Sequence, residues 1–383
     1  MNISLKKVFL LFLGAFSLLS CKNEENTIVE NLSQYVEPRI GTAHCRWFHF
    51  APGAMPFGMA KPAPSTNGSL GNKSGWEATG YDYRNNTIEG FPCLHEFQIG
   101  GISLMPTVGE LLTVPGLPSD TIKTGYRSRF SHENEVVEPG YYSVLLEDYQ
   151  IQAELTATER VAFQRFTFPQ GQEKHLLFNI GNRQGESGTV KDAYVVYNQD
   201  GTVEGWVITE PEYVKKYQPG AVVPLCFSAV LDKEPLNYGA YNGNVQQSGV
   251  RESKGVGAGM YFSFASENQE VVTAKIGLSY TSVENARLNL QQEASDLDFD
   301  RAKERSQATW EDYLGRIRVE MECREDKVKF YTGLYHALLG RGLASDVNGA
   351  YPRNDGSVGQ LPMKEGTPLY NIYSSFGFRF HAV

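Results

Sequence analysis

The residues best suited to chemistry crowd into positions 75–110, GWEATGYDYRNNTIEGFPCLHEFQIGGISLMPTVGE, where Trp76, Tyr81 and Tyr83 share one glycine-rich stretch with the pair His95-Glu96. Glycines permit tight backbone paths, so that the rings can project together rather than along one regular face. Flat aromatic rings stack on the apolar CH faces of a sugar, while a carboxylate and an imidazole bond its hydroxyls. A polyhydroxylated ligand is therefore the chemistry expected of this segment and of its neighbour at 41–62. In that neighbour, Arg46-Trp47 reads as ligand contact or as loop packing. The candidate substrate-binding set is Arg46, Trp47, Trp76, Tyr81, Tyr83, His95 and Glu96. His95-Glu96 also reads as an acid or base, because a carboxylate among aromatics has its proton affinity raised by poor solvation; the alternative is a paired, structural His-Glu. Spacing identifies no partner carboxylate, so no catalytic residue is assigned.

Other motifs carry less. The alternation Asp296, Asp298, Asp300 mimics part of a calcium loop but lacks the glycine and the distal glutamate, and reads as a helix cap. Gly255-Val256-Gly257-Ala258-Gly259 is followed by a strand-like run where a phosphate loop needs a helix. GxSxG, HExxH, Walker and dinucleotide patterns are absent from the sequence.

Composition bounds the class. The 383 residues are 41% hydrophobic and 12% aromatic, with 38 glycines, a turn-rich balance closer to extracellular β proteins than to helical cytosolic ones. A formal charge of -9 with no basic cluster argues against a nucleic-acid partner and disfavours an acidic polymer. Lys6 and Lys7 precede an apolar run at 8–19 that is too short to span a bilayer and is shaped like a secretory signal. Leu18-Leu19-Ser20-Cys21 resembles a bacterial lipobox, so Cys21 is expected to be lipidated and to anchor the chain to the outer membrane, facing the periplasm or the cell surface. Glu24 and Glu25 resemble a surface-export signal. The four remaining cysteines, Cys45, Cys93, Cys226 and Cys323, are too widely spaced for a zinc site; a Cys45–Cys93 bridge is left open.

The elements that must position these residues follow from periodicity. Positions 22–33 read as a polar tether, and 36–40 as a short strand. From 141 to 280, short runs rich in Val, Tyr, Phe and Thr are punctuated by turns such as Asn242-Gly243, with no helical run between them. An antiparallel sandwich is expected. After Ser282 the period becomes helical: 283–294, then 299–314 with Asp296 or Asp298 as cap, then a third helix with Val328, Tyr331, Leu334, Tyr335, Leu338 and Leu339 on one face, ending near Gly340. Residues 341–383 read as loop. The expected organisation is signal peptide 1–20, tether 21–34, β-sandwich 35–282, linking helices 283–318, and 319–383 as the truncated beginning of a second, helical domain.

Four collinear blocks resemble the N-terminal half of glycoside hydrolase family 92, the exo-acting α-mannosidases: PRIGTAHCRWFHFAPGAMPFGMAKPAP, the 75–110 segment, ELTATERVAFQRFTFP and KFYTGLYHALLGRGLASDVNGAYP. The resemblance implies a β-sandwich, linking helices and an (α/α)6 catalytic barrel, with calcium-dependent, inverting hydrolysis of α-mannosides in glycans. Inversion requires acid and base carboxylates about 6.5–9.5 Å apart, and in the family these lie in the barrel. YNIYSSF matches the family's approach to a Trp-centred helix, and GFRFHAV leaves the pattern as a frameshift or premature stop would make it. Two functions are therefore weighed: an α-mannosidase whose catalytic half is missing and which is inactive alone, or a surface lipoprotein that binds mannose-containing glycans without hydrolysing them. A non-functional remnant would instead leave the stripe of the third helix uncovered.

Overall fold

Period-two alternation commits the centre of the chain to strands, and the places where the alternation fails show what covers them. A nine-stranded antiparallel sheet runs, edge to edge, through Glu252–Lys254, Thr189–Tyr197, Val203–Glu210, Val223–Leu231, Glu270–Ser279, Val161–Phe168, Ile151–Ala157, Tyr141–Leu146 and Val136–Glu138. A six-stranded sheet runs through Val245–Ser248, Asn237–Asn242, Ala258–Phe264, Lys174–Asn179, Ser103–Val108 and Phe91–Pro92. The computed structural model describes residues 30–43, 49–66, 80–94, 102–117, 124–182, 188–210 and 219–375. The chain divides into Met1–Asn31 and Leu32–Val383, and the second unit holds both sheets, the helices and the core.

The sheets meet through their inner faces. Phe91 lies 5.8 Å from Phe166, Phe168 lies 6.5 Å from Phe264, and Tyr197 meets Phe262 edge-on at 5.1 Å. The outer face of the larger sheet is also covered, by α1 (Val283–Ala294) and α2 (Phe299–Gly315). A second core joins Tyr141, Val161 and Phe163 of that face to Leu290, Ala294, Phe299 and Ala302 of the helices. This third layer explains why strand Val161–Phe168 is buried along almost its whole length and carries apolar residues, Val161, Phe163, Phe166 and Phe168, on both faces. Gly277 lets α1 approach, since a Cβ there would stand 2.4 Å from the Ala286 carbonyl. The helices start as the sequence implied, with Ser282 capping Asn285 and Asp298 capping Arg301 through their side chains.

α3 (Arg324–Leu339) buries Tyr331, Tyr335 and Leu339. Tyr335 packs 4.5 Å from Trp310 of α2, and Tyr331 stacks 5.9 Å from Tyr35, in the 3-10 turn Leu32–Tyr35 that α2 anchors through Glu311. Of the stripe expected to lie bare in a remnant, Tyr331, Tyr335 and Leu339 are buried, and Val328, Leu334 and Leu338 are half-buried against the core.

Three expectations need correction. Residues 36–40 form turns, with Ile40 bonded to the Glu37 carbonyl and Thr42 to that of Arg39; Pro38 supplies no N–H for a ladder. The 75–110 stretch contains Thr87–Ile88, Phe91–Pro92 and Ser103–Val108 and is partly sheet. The C-terminal segment builds small ladders, Ala350–Pro352 with Val358–Gln360, Met363–Lys364 with Thr367–Pro368, and Arg341–Leu343 with Tyr373–Ser375.

Candidate functional site

The described backbone brings together the roots of the three segments that carry the candidate sugar contacts. Residues 61–65 lie antiparallel to 89–93: Lys61 N donates to the Cys93 carbonyl at 2.9 Å, and Ser65 N to that of Gly90 at 2.9 Å. At one end Thr66 N meets the Gly80 carbonyl at 2.8 Å, closing the base of 67–79. At the other, Cys93 N meets the Ile102 carbonyl at 3.0 Å, closing the base of 95–101. Tyr83 N bonds the Thr42 carbonyl at 3.3 Å, which places the base of 44–48 beside that of 67–79. A buried ion pair, Arg127 with Glu89, locks this ladder, and Arg127 Nη1 also holds the Thr66 carbonyl.

Arg46, Trp47, Trp76, His95 and Glu96 lie outside the described residues, as do Cys21 and Cys45. Cys93 is a buried free thiol that accepts from Gln164 Nε2 at 3.3 Å, and burial pushes its pKa up. Of the described candidates, Tyr83 is 40% exposed. Tyr81 is 0% exposed and is a core residue, not part of a binding face. Its hydroxyl donates to the Glu135 carboxylate at 3.0 Å, and burial, reinforced by that charge, raises its pKa. The reason is its place between the crossing segments 80–83 and 135–142, where Tyr142 donates to the same carboxylate.

A cavity of about 430 Å³ opens between residues 55–57, 159–160, α1, α2 and the C-terminal segment, within the size range of small-ligand sites. Its aromatic wall is Phe57, with Tyr313 and Tyr373 edge-on at 5.6 and 5.7 Å. Gln292, Thr309 and Asn371 supply neutral polar groups. Phe57 has φ of 56°, a strained value for a bulky residue. Two backbone bonds hold it there, Phe57 N to the Leu338 carbonyl at 3.0 Å and Leu343 N to the Phe57 carbonyl at 2.9 Å. Two positions before Leu338, His336 stacks on His49, the first residue after 44–48, at 4.2 Å. One turn of α3 thus carries both the stacking partner of His49 and the carbonyl that fixes Phe57.

The charges at this cavity are already matched. Arg160 is held by Glu293 at 2.7 Å and donates from Nε to the Ser345 carbonyl at 2.7 Å. Glu159 is the one carboxylate among the described lining residues, and it pairs with Arg305 at 3.0 Å. A neutral, hydrogen-bonding ligand suits such a wall better than an ion. Next to it, Asp346 is buried and accepts from Ser279, Thr281 and Asn289; burial raises its pKa against the pull of those donors.

Among the described residues no three His, Cys, Asp or Glu side chains converge as a metal site. Asp298 caps α2, and Asp300 pairs with Arg165 at 3.0 Å, so this acidic alternation is spent on structure.

Sequence reading missed Phe57, Arg160 and Asp346, and also His132 and Glu135. The signal available for the last pair was their spacing of three, but a partner for Tyr81 sits 54 positions away and only the fold reveals it.

Comparison with known proteins gives this geometry its lineage. The sequence model of the glycosyl hydrolase family 92 N-terminal domain matches residues 35–279, and that of the family's catalytic domain matches 285–378. The chain belongs to glycosyl hydrolase family 92. A solved family 92 α-mannosidase from Bacteroides thetaiotaomicron, in complex with mannoimidazole, is similar with a TM-score of 0.79 and 26% identity, over 90% of this chain and 44% of that one. A family 92 inverting mannosidase from the VPI-5482 strain shares the fold at a TM-score of 0.73 and 22% identity, over 90% and 44%. An uncharacterized secreted glycosidase of Arthroderma benhamiae is 26% identical over 336 residues, 80% of this chain and 41% of its own. The chain spans less than half the length of each of these relatives. The match across both family 92 domain models places the cavity among sequences assigned to both, since Phe57 and Arg160 fall in the first and Tyr313 and Tyr373 in the second.

Proposed function

We propose that this chain is the N-terminal portion of an inverting, calcium-dependent α-mannosidase acting on mannose-containing glycans, and that it contributes one wall of the sugar pocket without turning substrate over by itself. The reading is carried by one observation: a neutral, aromatic-walled cavity in a chain that is 26% identical to, and shares the fold of, an α-mannosidase solved with mannoimidazole. On this reading Tyr83, Arg46, Trp47, Trp76, His95 and Glu96 contact the sugar, the rings stacking on its CH faces.

Inversion needs two carboxylates with room for a water between them, about 6.5–9.5 Å. The described cavity offers Glu159 alone, already neutralised by Arg305, so the acid and base are not supplied there. Calcium belongs to this reading through the family resemblance, and no step is routed through it.

The test is to titrate the purified chain with methyl α-mannoside by NMR and, separately, to incubate it with calcium and α-mannobiosides. Saturable binding that Trp76→Ala abolishes, with no mannose released, is expected. Release of mannose would show that the carboxylate pair is present after all. Failure to bind any α-mannoside would remove the sugar wall. The signal-like start and Cys21 support export and lipid anchoring, in keeping with a relative described as secreted. Palmitate labelling that disappears in Cys21→Ala is the expected result, and labelling that persists would reject this anchor.

A further inference from the structure

Glu135 is the buried centre of a polar cluster that neither the loops nor the cavity wall accounts for. Its side chain is 0% exposed, and its oxygens receive the hydroxyls of Tyr81 at 3.0 Å and Tyr142 at 2.8 Å and face His132 Nδ1 at 2.8 Å. On the other side of the same imidazole, Nε2 lies 2.6 Å from the Tyr83 carbonyl. A carboxylate and a backbone carbonyl only accept, so each ring nitrogen must carry a hydrogen, and only the imidazolium donates from both. The ring also lies flat on that of Tyr83, with centroids 4.0 Å apart at 18°, a cation-on-ring arrangement, and the edge of Phe130 closes a third side at 4.9 Å.

We propose that His132 is a charged positioning residue of the sugar wall: its imidazolium, fixed by Glu135, clamps the carbonyl and ring of Tyr83 and so holds the Thr42–Tyr83 junction from which 44–48 and 67–79 depart. The consequence for sugar binding rests on the function proposed above; the protonation state does not. Burial opposes the charge, while the Glu135 carboxylate and the carbonyls of Tyr83 and Asn85 outweigh it, and the pKa is raised. The other groups facing the cluster are the phenols of Tyr81, Tyr142 and Tyr83 and, from the turn at 38–41, Arg39, which is engaged by Glu37 at 3.0 Å. The clamp is therefore complete below about 6.5, the ordinary histidine value, and is released as pH rises through the elevated one.

Long-range ¹H–¹⁵N spectra of the whole chain across pH 5 to 9 test this, with the His132 signal identified by its loss in His132→Gln. Imidazolium shifts at both ring nitrogens at neutral pH, with a midpoint above 6.5, are expected. A neutral ring protonated at Nε2 alone, with the proton resident on Glu135, would overturn the assignment. The positioning is read from hydrogen exchange of the Tyr83 amide, which should lose protection with the same midpoint, by up to tenfold for each unit of measured pKa elevation. His132→Gln should lower that protection at acid pH and remove its pH dependence. If it does not fold, the wild-type exchange profile decides alone, and a Tyr83 amide indifferent to the His132 titration overturns the clamp. Loss of α-mannoside binding at every pH would sink the proposed function and leave both of these results standing.

Discussion

Glu293→Ala should be among the costliest single truncations in this protein. Glu293, in the last turn of α1, accepts from Thr158 Oγ1 at 2.7 Å, from the Arg160 backbone N–H at 2.8 Å and from Arg160 Nη1 at 2.7 Å. Both members of the ion pair are nearly closed to solvent, at 9% and 8% exposure. Truncation leaves a guanidinium, an amide and a hydroxyl facing an empty volume. Removing one partner of such a buried pair costs about 3–5 kcal/mol, whereas an exposed pair is worth about 1 kcal/mol at most. The midpoint and slope of urea denaturation, followed by circular dichroism and tryptophan fluorescence, give the number. Replacing both residues by methionine removes the stranded charge but leaves the Ser345 carbonyl without its donor, so roughly half the loss should return. A loss below about 1 kcal/mol for Glu293→Ala, or a double variant as damaged as the single, would refute the view that this pair fastens α1 to the cavity wall.

Other perturbations separate the remaining contributions. His336 has its pKa lowered to about 4, first by burial and then by the neighbouring His49. Its neutral form is favoured in the fold, so its contribution is present above about 6.5 and lost as pH falls from there to about 4, up to about 3 kcal/mol by linkage; the difference between wild type and His336→Gln in urea at pH 7.5 and 4.5 measures it. Gly53→Ala places a Cβ 2.2 Å from the Leu155 carbonyl and should cost about 1–3 kcal/mol or prevent folding, as thermal melts will show. Trp310→Phe removes the donor to the Ala54 carbonyl, a 2.7 Å bond in the core, and should cost about 2 kcal/mol in the same assay.

What the sequence by itself determined was whatever depends on near neighbours. The strand at 161–168, the helix at 283–294 and its successor capped by Asp298 follow from side-chain period and from turn and cap chemistry, which act over a few residues. Collinear blocks likewise sufficed to recognise the family. Tertiary structure decided the rest, because burial and pairing are properties of distant segments. Tyr81 and Tyr83 look alike in sequence, yet the first is sealed against Glu135, 54 positions away, while the second is covered by His132 on its ring and stays 40% exposed. The α3 stripe found its cover in Leu32–Tyr35, nearly three hundred positions upstream. Likewise, Arg160 became part of the cavity only because α1 and Ser345 fold back upon it, a closure that no local pattern encodes.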